Sequence, residues 1–204
     1  AKKLGYIYVD TGALYRAIGL YMLNSGADTK DKSAVVPKLA EIDVELKYVD
    51  GSQKVILCGQ DVSSDIRKPE VSMAASDVSA IGDVRSFLLD LQRDMARKNN
   101  VIMDGRDIGT VVLPNAQIKI FLTASAAERA MRRYKELVEK GVKVEYETVL
   151  KELNERDYQD SHREIAPLKP ADDADLIDTT GNDLDQSVNM LAEYVSKRLG
   201  ELEK

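Results

Sequence analysis

One pattern recurs along the chain: a short apolar run, a polar or acidic end, then a helical stretch. Tyr6 to Val9 ends at Asp10 and leads into a helix-like segment from Ala13 to Asn24. Val101 to Met103 ends at Asp104. Ile118 to Leu122 ends at Thr123, and Ser125-x-x-Glu128 is a capping box that opens the next helix. Leu176 and Ile177 end at Asp178, with a closing helix from about Leu184 to Leu199. Strands alternating with helices need crossover connections, so the expected fold is α/β, a parallel sheet flanked by helices. Ligands of such sheets bind at the carboxyl ends of the strands, which places Asp10, Asp104 and their successors at one edge.

The pattern is interrupted once. Asp43 to Val49 alternates apolar and polar residues, Asp50-Gly51 is a turn signal, and Lys54 to Cys58 reads as a second strand. A β-hairpin inside a β-α-β chain predicts an inserted subdomain at roughly 42–78. A long helix is expected from Val78 to Lys98, with Val84, Leu88, Leu91 and Met95 on one side. The charged stretch 154–168, ending near Pro167, reads as a lid on a core formed by 1–41 and 79–204. Ala1 to Gly5 reads as the last turn of a helix stopped by glycine.

Composition narrows the function classes. A length of 204 residues suits one domain. A net charge of -6 gives no general attraction to nucleic acid or to an anionic membrane, and 5% aromatics with no Trp argue against a stacking platform. The single cysteine, Cys58, excludes an internal disulfide and fits a cytoplasmic protein; its apolar surroundings predict a buried structural thiol. No apolar run is long enough to span a membrane. A monomer is the default expectation.

Three segments carry candidate chemistry. In Asp104-Gly105-Arg106-Asp107, an apolar strand ending in Asp is the arrangement that holds Mg2+ directly or through water. Arg106 can grip a phosphate in bidentate fashion, and Asp107 can accept from an exocyclic amine. Taken alone, the same residues describe a turn with a surface ion pair. In Asp10-Thr11-Gly12-Ala13-Leu14-Tyr15-Arg16, the start of a helix favours an anion that Arg16 can reach; an N-cap threonine and a solvated arginine is the plainer alternative. Arg156, Asp160 and Arg163 share a face if helical and suit a phosphate and ribose hydroxyls, although such charge runs are commonly salt-bridge ladders. Arg132 and Arg133 lie in the helix after Thr123, where Glu128 and Glu136 are local partners for Arg132. His162 has no second ligand nearby and is assigned no role.

Together these segments resemble the bacterial cytidylate kinase family. The resemblance rests on D-T-G-A-L-Y-R at 10–16, M-D-G-R-D-I-G-T-V-V-L-P at 103–114, E-R-A-x-R-R-Y at 128–134 and R-D-Y-Q-D-S-H-R-E-I-A-P-L at 156–168, with shorter matches between them. It implies a P-loop, nucleoside-monophosphate kinase fold and transfer of the γ-phosphoryl group of ATP to CMP or dCMP, with Mg2+. It implies CMP phosphate on Arg16, Arg106 and Arg163 with Thr11 nearby, and cytosine on Ser76, Arg85 and Asp107. It further implies Arg156 and Asp160 at the ribose and in lid closure, Asp104 as the Mg2+ acid, and Arg132 or Arg133 beside the ATP adenine. Arg156 and Arg163 are expected to reach ligand only when the lid closes. The family's G-x-x-x-x-G-K-[ST] loop does not occur in these 204 residues, so an upstream strand and Gly-rich loop are expected before Ala1. A kinase for UMP or AMP, or a non-catalytic nucleotide-binding relative, are the rival readings.

Overall fold

A computed structural model describes residues 1–49 and 52–202. The chain forms two compact units, one of residues 1–108 with 163–167 and one of residues 109–162 with 168–204.

The first unit opens with a short 3-10 turn, Lys2–Leu4, closed by Gly5 in the left-handed region, as the glycine stop suggested. Strand β1 (Ile7–Asp10) feeds helix α1 (Gly12–Asn24). After the four-residue α2 (Lys32–Val35) come β2 (Val44–Val49), β3 (Ser52–Leu57) and β4 (Gln60–Asp61). Helices α3 (Pro69–Ser79) and α4 (Gly82–Lys98) lead to β5 (Val101–Asp104). β1 and β5 pair in parallel with Asp10 opposite Asp104, so the two carboxylate-bearing strand ends are level. β2, β3 and β4 form an antiparallel sheet, as the alternation predicted. The expected Asp50-Gly51 turn lies outside the described residues.

The hairpin is seated on the parallel strands rather than hanging free. The Gln53 carboxamide accepts from the Asp10 N–H at 3.0 Å and donates to the Asp10 carbonyl at 3.2 Å. It thereby satisfies backbone groups that would otherwise lack a strand partner. The Tyr48 hydroxyl donates to the Tyr8 carbonyl at 2.9 Å. One apolar core runs beneath, with Leu14, Ile18 and Met22 of α1, Val55 and Leu57 of β3, Val71 and Val78 of α3, and Val84 and Leu88 of α4. α1 crosses α3 so closely that a Cβ on Gly19 would lie 2.9 Å from the Ala75 nitrogen. Only glycine allows that approach.

Two expectations are corrected here. The helix expected from Val78 to Lys98 is two helices, broken at Ala80 and Ile81. Ile81 is extended and turns its side chain into the core, and Gly82 starts the next helix. Cys58 is exposed rather than buried, at a tight turn where its φ is 47° and that of Gly59 is 82°.

The second unit holds β6 (Ile120–Thr123), α5 (Ala126–Glu139), α6 (Tyr146–His162), β7 (Asp175–Asp178) and α7 (Leu184–Leu202). β6 and β7 are parallel. The Ser125 side chain accepts from the Glu128 N–H, the cap that starts α5. Ala130, Leu137 and Val149 form a small core between α5 and α6, and Arg129 and Asp157 join the two helices at 2.7 Å. No helix among the described residues is long and apolar enough to cross a membrane.

Candidate active site

The site in the first unit grows from the carboxyl ends of β1 and β5. Thr11 is buried and donates both its N–H, at 3.1 Å, and its hydroxyl, at 2.7 Å, to the Asp104 carbonyl. It therefore stitches the two strand ends together. The cap of α1 is supplied instead by Asp10, whose carboxylate accepts from the Ala13 N–H at 3.2 Å. Gly105 follows in a bend so tight that a Cβ there would collide with the Thr11 hydroxyl and the Ile108 side chain. Asp104 is exposed, with one oxygen accepting from the Tyr8 hydroxyl at 3.1 Å. Burial, and then the Asp104 and Asp10 carboxylates, push the Tyr8 hydroxyl well above the usual tyrosine range. Arg106 lies exposed on the same bend.

Asp107 turns the other way, into the protein. Its carboxylate accepts from Arg85 Nη2, and the pair is buried, with side chains 5% and 9% exposed. A second guanidinium, that of Arg163, is also only 5% exposed and lies 4.0 Å from the other Asp107 oxygen. The break between α3 and α4 makes this cluster possible. At the end of α3 the Ser79 carbonyl has no helical partner, and it accepts from Arg85 Nη1 at 3.1 Å. The Ser79 hydroxyl donates to the Ser76 carbonyl at 2.8 Å and accepts from Arg163 Nη1 at 3.1 Å. Arg163 Nε donates to the Ala166 carbonyl at 2.8 Å, in a turn that holds Ala166 at φ 51°. Tyr15 lies beneath Arg85, with the guanidinium carbon 5.4 Å from the ring centroid.

Ser76, Arg85, Asp107 and Arg163 are thus brought together. Arg163 is held by protein groups, the Ala166 carbonyl, the Ser79 hydroxyl and the Asp107 carboxylate. The reason is local: α6 ends at His162, so Arg163 leaves the helical face of Arg156 and Asp160 and packs with the first unit. Arg16 is held at the start of α3, donating to the Ile66 carbonyl at 3.1 Å and the Ser72 hydroxyl at 3.2 Å.

In the second unit, Asp160 is buried with Arg156 Nε 3.8 Å from its carboxylate. Arg132 donates to the Thr179 and Asn182 carbonyls at 2.9 and 3.0 Å, fixing the loop after β7, with Glu128 3.5 Å away. Arg133 pairs with Glu136 at 2.8 Å. Glu136 therefore serves Arg133 and Lys140 rather than Arg132.

The family model for cytidylate kinase matches residues 1–197. The chain belongs to the cytidylate kinase family. A cytidylate kinase of Caldicellulosiruptor saccharolyticus is 51% identical over 200 residues, covering 98% of this chain and 88% of that protein. Cytidylate kinases of Lactobacillus johnsonii and Streptococcus mutans are 48% and 49% identical over 198 and 193 residues. They cover 97% and 94% of this chain, and 86% and 85% of those proteins. The parallel strand pairs flanked by helices are those expected of a nucleoside-monophosphate kinase.

Two residues that touch this kinase's buried cluster carry no role in the reading of the sequence: Ser79, the last residue of α3, and Tyr15, inside D-T-G-A-L-Y-R.

Proposed function

We propose that this kinase transfers the γ-phosphoryl group of ATP to CMP or dCMP, giving CDP or dCDP, and works as a monomer in the cytoplasm. The buried Arg85–Asp107 pair carries the reading. A carboxylate accepts from the cytosine amine, while the guanidinium donates to the ring nitrogen and carbonyl. Uracil reverses the first of these, placing a carbonyl against the carboxylate. Ser76 adds a small polar wall. Arg16, Arg106 and Arg163 serve the CMP phosphate, with Thr11 joining the strand ends that lead to Arg16 and Arg106. Segment 42–78 acts as the acceptor-binding insertion and 154–168 as the lid, with Arg156 and Asp160 at the ribose. Arg132 and Arg133 lie toward the ATP adenine.

The donor set at Asp104 fits Mg2+, a hard cation that takes one or two carboxylates and completes its shell with water and substrate phosphates. Asp104 would hold the ion, whose charge offsets that of the phosphates. The attacking oxygen is already anionic, so the chain needs no strong general base. Its own contribution is to align the acceptor and neutralise charge with arginines in a site closed against water.

The test is a panel of acceptors, CMP, dCMP, UMP and AMP, with ATP and Mg2+ and release of ADP as the readout. CMP and dCMP should dominate. Equal turnover of UMP or AMP would overturn the assignment.

A further inference from the structure

β1 and β5 run in parallel with Tyr8 opposite Ile102 and Asp10 opposite Asp104. Alternation along a strand puts residues two apart on one face, so Tyr8, Asp10, Ile102 and Asp104 share it. From Tyr8 to Asp104 is one strand across and two residues along, a diagonal of about 8 Å between Cα atoms. A phenol is long enough to close that gap, and the Tyr8 hydroxyl donates to Asp104 Oδ2 at 3.1 Å. An ionised carboxylate only accepts, so chemistry sets the direction of this bond. It engages one oxygen of the pair and leaves Oδ1. The neighbouring Asp10 carboxylate is occupied otherwise: it accepts from the Ala13 N–H at 3.2 Å and lies 3.9 Å from Arg67 Nη2.

Tyr8 is itself held in place. Its carbonyl accepts from the Tyr48 hydroxyl at 2.9 Å. Tyr48 faces Gln53 across the hairpin, and Gln53 bonds both backbone groups of Asp10, at 3.0 and 3.2 Å. β1 is thereby fastened along both edges, by β5 on one and by the hairpin on the other. Apolar packing does not call for a tyrosine here, because Tyr8 is 46% exposed while Val9 beside it is fully buried. The terminal bond of an untethered carboxylate turns over a broad range, and a bond to one oxygen narrows it. Groups that orient a metal-ligating side chain in this way act on metal affinity.

We propose that Tyr8 is a positioning residue for the Asp104 carboxylate: the phenol holds Oδ2 and leaves Oδ1 for Mg2+ or its bound water. This rests on the reading of Asp104 as the Mg2+ acid. Tyr8 acts through Asp104, so its effect belongs in metal affinity rather than in CMP binding.

The experiment measures Mn2+ held by the full-length kinase with ADP, beyond that held by ADP alone, from the electron paramagnetic resonance signal of free Mn2+. Wild type, Tyr8→Phe, Asp104→Asn and the double variant are compared, with CMP affinity by calorimetry and melting temperatures alongside. Tyr8→Phe should weaken Mn2+ binding about tenfold and leave CMP affinity unchanged. It should lower Tm by no more than about 4 °C, the loss of one hydrogen bond. On the Asp104→Asn background, Tyr8→Phe should cause no further loss of Mn2+, because both changes act on one link. Wild-type Mn2+ affinity in Tyr8→Phe overturns the proposal, as do losses that multiply in the double variant. Equal losses of Mn2+ and CMP affinity in Tyr8→Phe would mark a structural role and overturn it as well. Should Tyr8→Phe melt far below the wild type, the Asp104→Asn background decides: a further loss of Mn2+ there overturns the proposal, and none supports it. Wild-type Mn2+ affinity in Asp104→Asn overturns the reading of Asp104 itself, and this inference with it.

Discussion

Replacing Asp107 by Ala tests stability and specificity at one position. The carboxylate faces two guanidiniums, Arg85 bonded to it and Arg163 at 4.0 Å, and all three side chains are at least nine-tenths buried. Removing it leaves two buried cations without their counter-charge. Breaking a buried pair in this way costs about 3–5 kcal/mol. In a chain of this size each kcal/mol lowers Tm by about 2–4 °C, so the melting point should fall by roughly 6–20 °C. Asp107→Asn keeps the shape and one carbonyl acceptor, and should fall by less. Because the cluster is buried, raising the salt concentration should not erase the difference. CMP turnover should drop in both variants, and the margin over UMP should narrow by about 1–3 kcal/mol, the value of one buried polar group left unpaired. Scanning calorimetry and an ADP-release assay give the two readouts. An Asp107→Ala melting point within about 2 °C of the wild type would refute the packing argument. An unchanged CMP-to-UMP ratio would refute the recognition argument.

Arg163→Met retains the apolar stem but removes three contacts, to Ser79, Ala166 and Asp107, so both Tm and CMP turnover should fall; a loss of activity with no change in Tm would place Arg163 outside the resting cluster. Tyr8 and Tyr15 have hydroxyls raised above the ordinary tyrosine value, mainly by burial. Below about pH 10 neither state ionises them; above it the unfolded chain loses these protons first, so stability should decline as pH rises toward the folded values. Melting points between pH 7 and 11 should show that decline, and Tyr8→Phe and Tyr15→Phe should each flatten it. A wild-type slope in both variants would assign the alkaline limb to other groups.

The strand-to-loop steps were legible because period and punctuation agree there. Asp10, Asp104, Thr123 and Asp178 each end the strand expected of them. The helix break was not legible. Val78, Ile81, Val84 and Leu88 keep an unbroken 3-3-4 apolar spacing across it, and all four are buried. Periodicity reports which residues face the core, not whether the backbone between them stays helical, and Gly82 was the only mark of the interruption. Cys58 failed for a related reason. Its apolar neighbours suggested burial, but Val55 and Leu57 point inward, so strand alternation sends Ile56 and Cys58 the other way. Arg163 was hidden by composition, since a run such as R-D-Y-Q-D-S-H-R does not distinguish a cation in water from one enclosed by Ser79, Ala166 and Asp107.

The unforeseen break and the unforeseen burial of Arg163 bear on the same proposed recognition of cytosine. An uninterrupted α3–α4 helix would keep the Ser79 carbonyl within its own ladder and leave Arg85 one acceptor fewer. Ending α3 at Ser79 frees that carbonyl just where Arg85 arrives from the first turn of α4. Buried ion clusters rarely stabilise a fold beyond an apolar replacement of the same volume, so their retention here needs another reason. Selectivity between pyrimidines supplies one. Cytosine and uracil are nearly the same size, so a cavity of fitted shape separates them weakly, whereas a fixed carboxylate and guanidinium separate them by whether each polar group finds its complement. Such groups discriminate only if they cannot swing into water when the wrong base enters. On the proposed cytosine reading, the Ser79, Ala166 and Tyr15 contacts impose that restraint within the fold, and the cost of desolvating Arg85, Asp107 and Arg163 would be met in folding rather than drawn from CMP binding.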